Sequence, residues 1–313
     1  MKHIRARALL ALALTAPFAA QAQKIGLAMS EVDAFLSLLK NGVQVASARV
    51  GASVVMENAQ TDKVTQLNQI QSLIAQKVDA LIVVPVDTSA TQRITSMAMN
   101  AGIPLIYVNR KPADFEQLPS GAAFVGSDEK VSGTLQAREV CRLMNGRGHV
   151  LVLMGDLSNE AARTRTQDVE DVLGTGLCSG IKVLDKRIGN WSRDRARMIT
   201  TNILAAAKLS GKRFDAIIAN NDEMALGAIA ALKAAQQWTP EFIVGGIDAT
   251  PDALQSMREG ELKVTVFQNA EAQGGRAVEA ALRLIRQQPV QRFVDVPFEL
   301  VTPPSLPKYL AKN

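Results

Sequence analysis

Ala80-Leu81-Ile82-Val83-Val84-Pro85 is apolar from end to end, with no polar residue at alternate positions. A half-buried strand would alternate. An unbroken apolar run of this length predicts a strand covered on both faces, as in the middle of a parallel sheet. Its flanks agree. Residues 62–76 carry Val64, Leu67, Ile70, Leu73 and Ile74 on one helical face. Thr88 is placed to cap a helix to Asn100, which Gly102 stops before another apolar strand over 104–108. Farther out, 24–29, 53–57 and 122–125 read as strands, and 34–50 as a helix with Phe35, Leu38, Leu39 and Val43 inward. A second set follows. Its helices span 130–144, 160–173, a stretch from Ser192 to about 208, 223–235 and 270–286, with Thr250-Pro251 opening another. Its strands span 149–154, 181–187, 215–219, 242–247, 263–267 and 294–298. Such β-α alternation implies parallel sheets with helices on both faces. The strands are too many for one small sheet. The expected fold class is therefore α/β, with two doubly wound, Rossmann-like lobes. A closed eight-stranded barrel is the alternative.

The other end of the argument is the N-terminus. Met1 to Arg7 is basic, Ala8 to Ala20 is almost wholly apolar, and Ala20-Gln21-Ala22 precedes Gln23-Lys24. That order reads as a secretory signal peptide over 1–22, cleaved after Ala22. The apolar run is too short for an ordinary membrane span. No cysteine follows it, so a lipoprotein is not expected, and the mature chain should lie free in a bacterial periplasm. Three of the 35 basic residues leave with the leader, so 32 face 30 acidic ones. This balance offers no broad footprint for nucleic acid. In an oxidising compartment Cys141 and Cys178 form a disulfide or remain two buried thiols. With His3 in the leader, His149 alone remains, which leaves no His-based metal site, and no cofactor motif appears.

Ligands of open parallel sheets sit beyond the C-terminal strand ends. There the chain places Ser30, Asp33 and Phe35; Asn109 and Arg110; Arg163; Asn190 and Trp191; Asn220, Asn221 and Asp222; Asp248; and Gln268. Carboxylates, carboxamides and guanidiniums present paired acceptors or donors in a plane, which suits neighbouring hydroxyls on a sugar or cyclitol. Phe35 and Trp191 are candidates for the apolar walls against a ring's C–H faces. Asp and Asn after strands also serve as helix caps and turns, and Asp222 is expected to be a cap. Trp238 reads as peripheral packing.

The chain resembles the periplasmic ribose/galactose-type sugar-binding proteins of ABC importers along its whole mature length. The resemblance is carried by Asn220-Asn221-Asp222-Glu223-Met224-Ala225-Leu226-Gly227, by Val244-Gly245-Gly246-Ile247-Asp248-Ala249-Thr250-Pro251-Asp252, and by Gly102-Ile103-Pro104 leading to Asn109-Arg110. Tyr107-Val108-Asn109-Arg110-Lys111-Pro112 is most similar to the inositol and rhizopine binders. The resemblance implies a type I periplasmic binding protein with a three-segment hinge near Ser127-Asp128, Gln268-Asn269 and Val296. Its lobes would be 23–127 plus 269–296, and 128–268 plus 297–313. It implies closure around one ligand, docking on an ABC permease in the inner membrane, and a monomer. It carries ligand contact onto Ser30, Asp33, Phe35, Asn109, Arg110, Arg163, Trp191, Asn221, Asp248 and Gln268. Aldopentose binders of this family usually have Asp where Asn109 stands and Asn where Asp33 stands. Leu36 replaces a common second Phe. These departures point away from ribose and toward an uncharged polyol ring such as myo-inositol, with a pyranose or pentose as alternatives.

Two other function classes compete. An exported glycosidase needs a carboxyl pair with one raised pKa. Asp33 and Asp248 are candidates, but Arg110 and Arg163 are expected to hold both ionised, which suits binding. A sugar-responsive transcription factor would need an N-terminal helix-turn-helix, and the leader stands there instead.

Overall fold

A computed structural model describes residues 22–310 and Lys312. The signal peptide expected over 1–22 lies, apart from Ala22, outside the described residues. In chain order the elements are β1 (Lys24–Met29), α1 (Ala34–Arg49), β2 (Ser53–Asn58), α2 (Lys63–Ala75), β3 (Ala80–Val83), α3 (Thr91–Asn100), β4 (Leu105–Val108) and β5 (Ala122–Gly126). There follow α4 (Glu129–Leu143), β6 (Arg147–Met154), α5 (Glu160–Leu173), β7 (Gly180–Ile188), α6 (Arg193–Ser210), β8 (Ala216–Ala219), α7 (Asp222–Ala234), β9 (Ile243–Gly245) and α8 (Pro251–Arg258). The chain closes with β10 (Thr265–Phe267), α9 (Ala270–Ile285), β11 (Phe293–Asp295), β12 (Glu299–Val301) and α10 (Leu306–Leu310).

Ten of these strands make two parallel sheets, ordered β2-β1-β3-β4-β5-β11 and β7-β6-β8-β9, and β10 and β12 make an antiparallel pair, so the barrel alternative falls. The run over β3 shows why its sequence is unbroken. Ala80 and Ile82 enter one core and Leu81 and Val83 the core on the opposite face, all fully buried. Val150 and Val152 against Leu151 and Leu153 repeat the division in β6. The chain passes between the sheets three times: from β5 to α4, from β10 to α9, and from β11 to β12. After the second passage α9 packs on α1 so closely that a Cβ on Gly42 would come 2.4 Å from the carbonyl oxygen of Glu271.

Three local expectations are corrected. Thr88 does not cap a long helix: Asp87 accepts from the Ser89 amide at 2.9 Å over a 3₁₀ turn, and α3 begins at Thr91. The Thr88 hydroxyl instead donates to the carbonyl of Ser158, in the loop after β6, at 3.0 Å. The strand expected over 294–298 ends at Asp295, and a second strand that was not expected follows over Glu299–Val301. β11 adds to β5, and β12 pairs antiparallel with β10, because the chain changes sheets between them. Asp222 is not the cap of α7. Asn221 is, accepting from the Met224 amide at 3.0 Å. Cys141 and Cys178 pair as a disulfide with Cα atoms 5.7 Å apart, tying α4 to the turn before β7.

Candidate functional site

In each sheet the strand order reverses beside the first strand, between β1 and β3 in one and between β6 and β8 in the other. Loops diverge at such points and leave a crevice. Between the two lies a cavity. One wall carries Asp33, Phe35 and Leu36 after β1, with Asn109 and Arg110 after β4. The other carries Glu129, Asn159, Ala161, Arg165, Trp191, Asn221, Asp248 and Gln268. A wider groove runs between β7 and α6, where Leu184, Ile199, Ile203 and Phe214 make a mainly apolar floor away from the strand-order reversals.

Two expected residues stand elsewhere. Ser30 is fully buried and outside the lining. Arg163 is exposed on α5 and donates to the carbonyl of Leu157, while Arg165 enters the cavity in its place. Two residues along a helix turn the side chain by about 200°, so these arginines face opposite ways. The buried series Ala161, Arg165 and Val169, spaced by four, contained this phase in the sequence. Glu129 and Asn159 were missed because each opens a helix and carries only a cap-like signal.

Local backbone aims several of these groups. Asp33 caps α1 through one oxygen, 2.7 Å from the Leu36 amide. Asn109, Trp191 and Asp248 have φ of 68°, 64° and 125°, conformations costly to side-chain-bearing residues. Such strain persists where surrounding contacts over-determine it and concentrates at functional sites. At Asp248 the support is Asp222, whose buried carboxylate accepts from the Thr250 amide at 2.9 Å and the Thr265 hydroxyl at 2.7 Å. Trp191 gains its place from Gly155, where a Cβ would lie 2.1 Å from the indole ring.

Arg165 organises the second wall. Glu129 grips it through Nε and Nη2 at 2.7 and 3.0 Å, Asn220 accepts from Nη1 at 2.8 Å, and Gln268 accepts at 3.4 Å. Its guanidinium also lies 5.8 Å from the Trp191 ring centre. On the first wall Arg110 donates to the Glu31 carboxylate at 2.9 Å and the Pro85 carbonyl at 3.2 Å.

The carboxyl pair behaves against expectation. Burial raises the pKa of Asp33, outweighing the Leu36 amide and Arg110. Burial likewise raises that of Asp248 well above the usual carboxylate range despite Arg165, with Asp222, Asp33 and Glu129 adding repulsion. Arg163 is not the counter-charge, and burial of the two carboxyls removes the water that would stabilise both anions. Two buried donors, Trp191 Nε1 and Gln268 Nε2, have no partner among the described residues. Carboxyl acceptors, unmatched N–H donors and two aromatic faces together complement a ring whose hydroxyls both donate and accept.

The family described as periplasmic binding protein domain matches residues 25–289. The chain belongs to this family of periplasmic binding proteins. Its fold is that of the type I members, and membership implies a periplasmic location. This periplasmic binding protein is 48% identical over 306 residues to a Rhizobium meliloti protein named "Putative rhizopine-binding protein", covering 97% of this chain and 98% of that one. Among solved structures it resembles an ABC transporter solute-binding protein of Bacillus halodurans with bound myo-inositol. The identity is 37% and the TM-score 0.86, with 93% of this chain and 98% of that chain covered. A Caulobacter myo-inositol-binding protein bound to myo-inositol gives 25% identity and a TM-score of 0.86, covering 93% and 97%.

Proposed function

We propose that this chain is the solute receptor of an ABC importer and captures a cyclitol of the myo-inositol type between its lobes. The observation that carries the reading is the convergence of Asp33, Asn109 and Arg110 from one sheet with Trp191, Asn221, Asp248 and Gln268 from the other on one cavity. The likeness to inositol-bound binding proteins supports the ligand class. The lobes are 23–127 with 269–296 and 128–268 with 297–313, and the three passages between sheets form the hinge. Closure is a population shift: a ligand touching both walls stabilises the closed state, and the Thr88–Ser158 bond joins the rims there. The protein acts by binding, as a monomer exported after cleavage at Ala22, and hands its ligand to a permease in the inner membrane.

Calorimetric titration of the mature protein, stripped of carried-over ligand, tests this with myo-inositol, ribose, galactose and glucose. One-to-one heat with myo-inositol and none with the aldoses is the expected result. Binding of an aldose alone keeps the transport role and overturns the ligand class. Binding of none overturns both.

A further inference from the structure

Asn109 lines the cavity, but its carboxamide is held from behind. Its Nδ2 donates to Oε1 of Gln273 at 3.2 Å. Gln273, fully buried in the first turn of α9, donates through Nε2 to the Ser127 hydroxyl oxygen at 3.0 Å. Ser127 in turn donates to the backbone carbonyl of Val296 at 2.5 Å. Ser127 lies in the first passage between sheets, Val296 in the third, and Gln273 follows the second. The Val296 amide also donates to Gly126 at 2.7 Å, so the first and third passages are joined twice.

The polarity of this chain is forced. A backbone carbonyl only accepts, so the single Ser127 proton is committed to Val296. The Ser127 oxygen must then accept, which requires the amide nitrogen of Gln273 to face it. That leaves the Gln273 oxygen toward residue 109, which must present N–H. The remaining end of the Asn109 carboxamide is its carbonyl oxygen. We infer that Gln273 is a positioning residue that fixes Asn109 as a hydrogen-bond acceptor toward the ligand, with its orientation dictated by the hinge backbone through Ser127.

This inference rests on the polyol-receptor reading for its ligand, but the relay belongs to the protein alone. It also accounts for an amide at 109. Aspartate there would turn an acceptor toward Gln273 and reverse its carboxamide. Gln273 Oε1 and the Val296 carbonyl would then compete for one Ser127 proton. Through the relay, movement of the hinge strands is felt at the group that reads the ligand.

The experiment pairs two readouts on full-length mature protein. In ¹⁵N-asparagine-labelled, ligand-free protein, the Asn109 side-chain N–H pair is followed by hydrogen exchange, its signal assigned by loss in Asn109→Ala. Affinity for myo-inositol is measured by calorimetry. Gln273→Leu removes the acceptor, so Asn109 exchange should accelerate and affinity fall about 10-fold, the scale of one lost hydrogen bond. Gln273→Glu, neutral in this fully buried position, keeps an O–H donor toward Ser127 and a carbonyl acceptor toward Asn109, so exchange should stay slow and affinity within about 3-fold of the parent. Should the leucine variant fail to fold, Ser127→Ala provides the second break. It frees Gln273 to turn and should also speed Asn109 exchange. Unchanged Asn109 exchange in Gln273→Leu or Ser127→Ala overturns the relay, as do equal losses in the Leu and Glu variants. If the parent protein takes no myo-inositol while exchange follows the expected pattern, the ligand reading fails and the relay stands.

Discussion

Arg110 and Arg165 bring the same guanidinium to the same cavity from opposite walls, but they are held differently. Of five N–H donors, Arg110 commits two, to Glu31 and Pro85. Arg165 commits four, to Glu129, Asn220 and Gln268. The Glu129 side chain is 5% exposed and the Glu31 side chain 26%, so only the second pair is cut off from water. The second wall is thus a charge-neutralised scaffold that holds Trp191, Gln268 and Asp248 in place. The first wall keeps donors in reserve for what enters. A receptor that closes on its ligand needs both: one half already shaped, and one half whose hydrogen bonds are completed on closure.

The comparison is broken most sharply by removing each guanidinium. Arg165→Met should destabilise the protein by about 3–5 kcal/mol, because it strands the buried Glu129 carboxylate, and binding should fail with it. Arg110→Ala should weaken ligand binding by at least about 100-fold while costing only about 1 kcal/mol of stability, since water reaches Glu31. Urea unfolding beside titration calorimetry separates the two. Equal stability losses would remove the distinction between scaffold and reader.

The second wall is also the one fastened covalently. Cys141 and Cys178 close a loop of 37 residues. Replacing both by serine should cost about 4 kcal/mol in the chain-entropy view. The loss should fall on the second lobe alone, so that scanning calorimetry resolves two transitions where the parent shows them together. Affinity at 25 °C should change less than about 2-fold, because neither cysteine lines the cavity. A uniform loss across both lobes would mean that the second scaffold is not an independent unit.

A smaller effect sharpens the electrostatics of that scaffold. Asp168 on α5 has a buried Oδ2 without a partner among the described residues. Burial, followed by repulsion from Asp171, Glu129 and Asp128, pushes its carboxyl up to about 7. The folded chain therefore holds a proton that the unfolded chain releases, and this group lowers stability as pH rises from about 4 to 7. Asp168→Asn should melt higher than the parent at pH 8, with the gap closing toward pH 4. A gap independent of pH would sink the assignment.

The fold was open to reading because its signals are local. Ala80 to Val83 declares a strand covered on both faces without reference to any other segment, and helical phase along 62–76 does the same for α2. Sheet reversal beside β1 and β6 then makes strand ends the place to search, and that search reached Asp33, Asn109, Asp248 and Gln268. It failed at α5, where the site residue is chosen by helical phase, so Arg163 stood in for Arg165. It failed at β12 because three residues pairing in another sheet have no pattern of their own.

By itself, then, the sequence determined two doubly wound lobes and the chemical character of the cavity, since apolar periodicity and residue type are properties of the chain. Only the tertiary structure decided which arginine faces inward, which carboxyls resist ionisation, and which end of the Asn109 amide meets the ligand. Those depend on desolvation by segments more than a hundred residues away, and on a hydrogen-bond direction that runs from Val296 through Ser127 and Gln273 to residue 109.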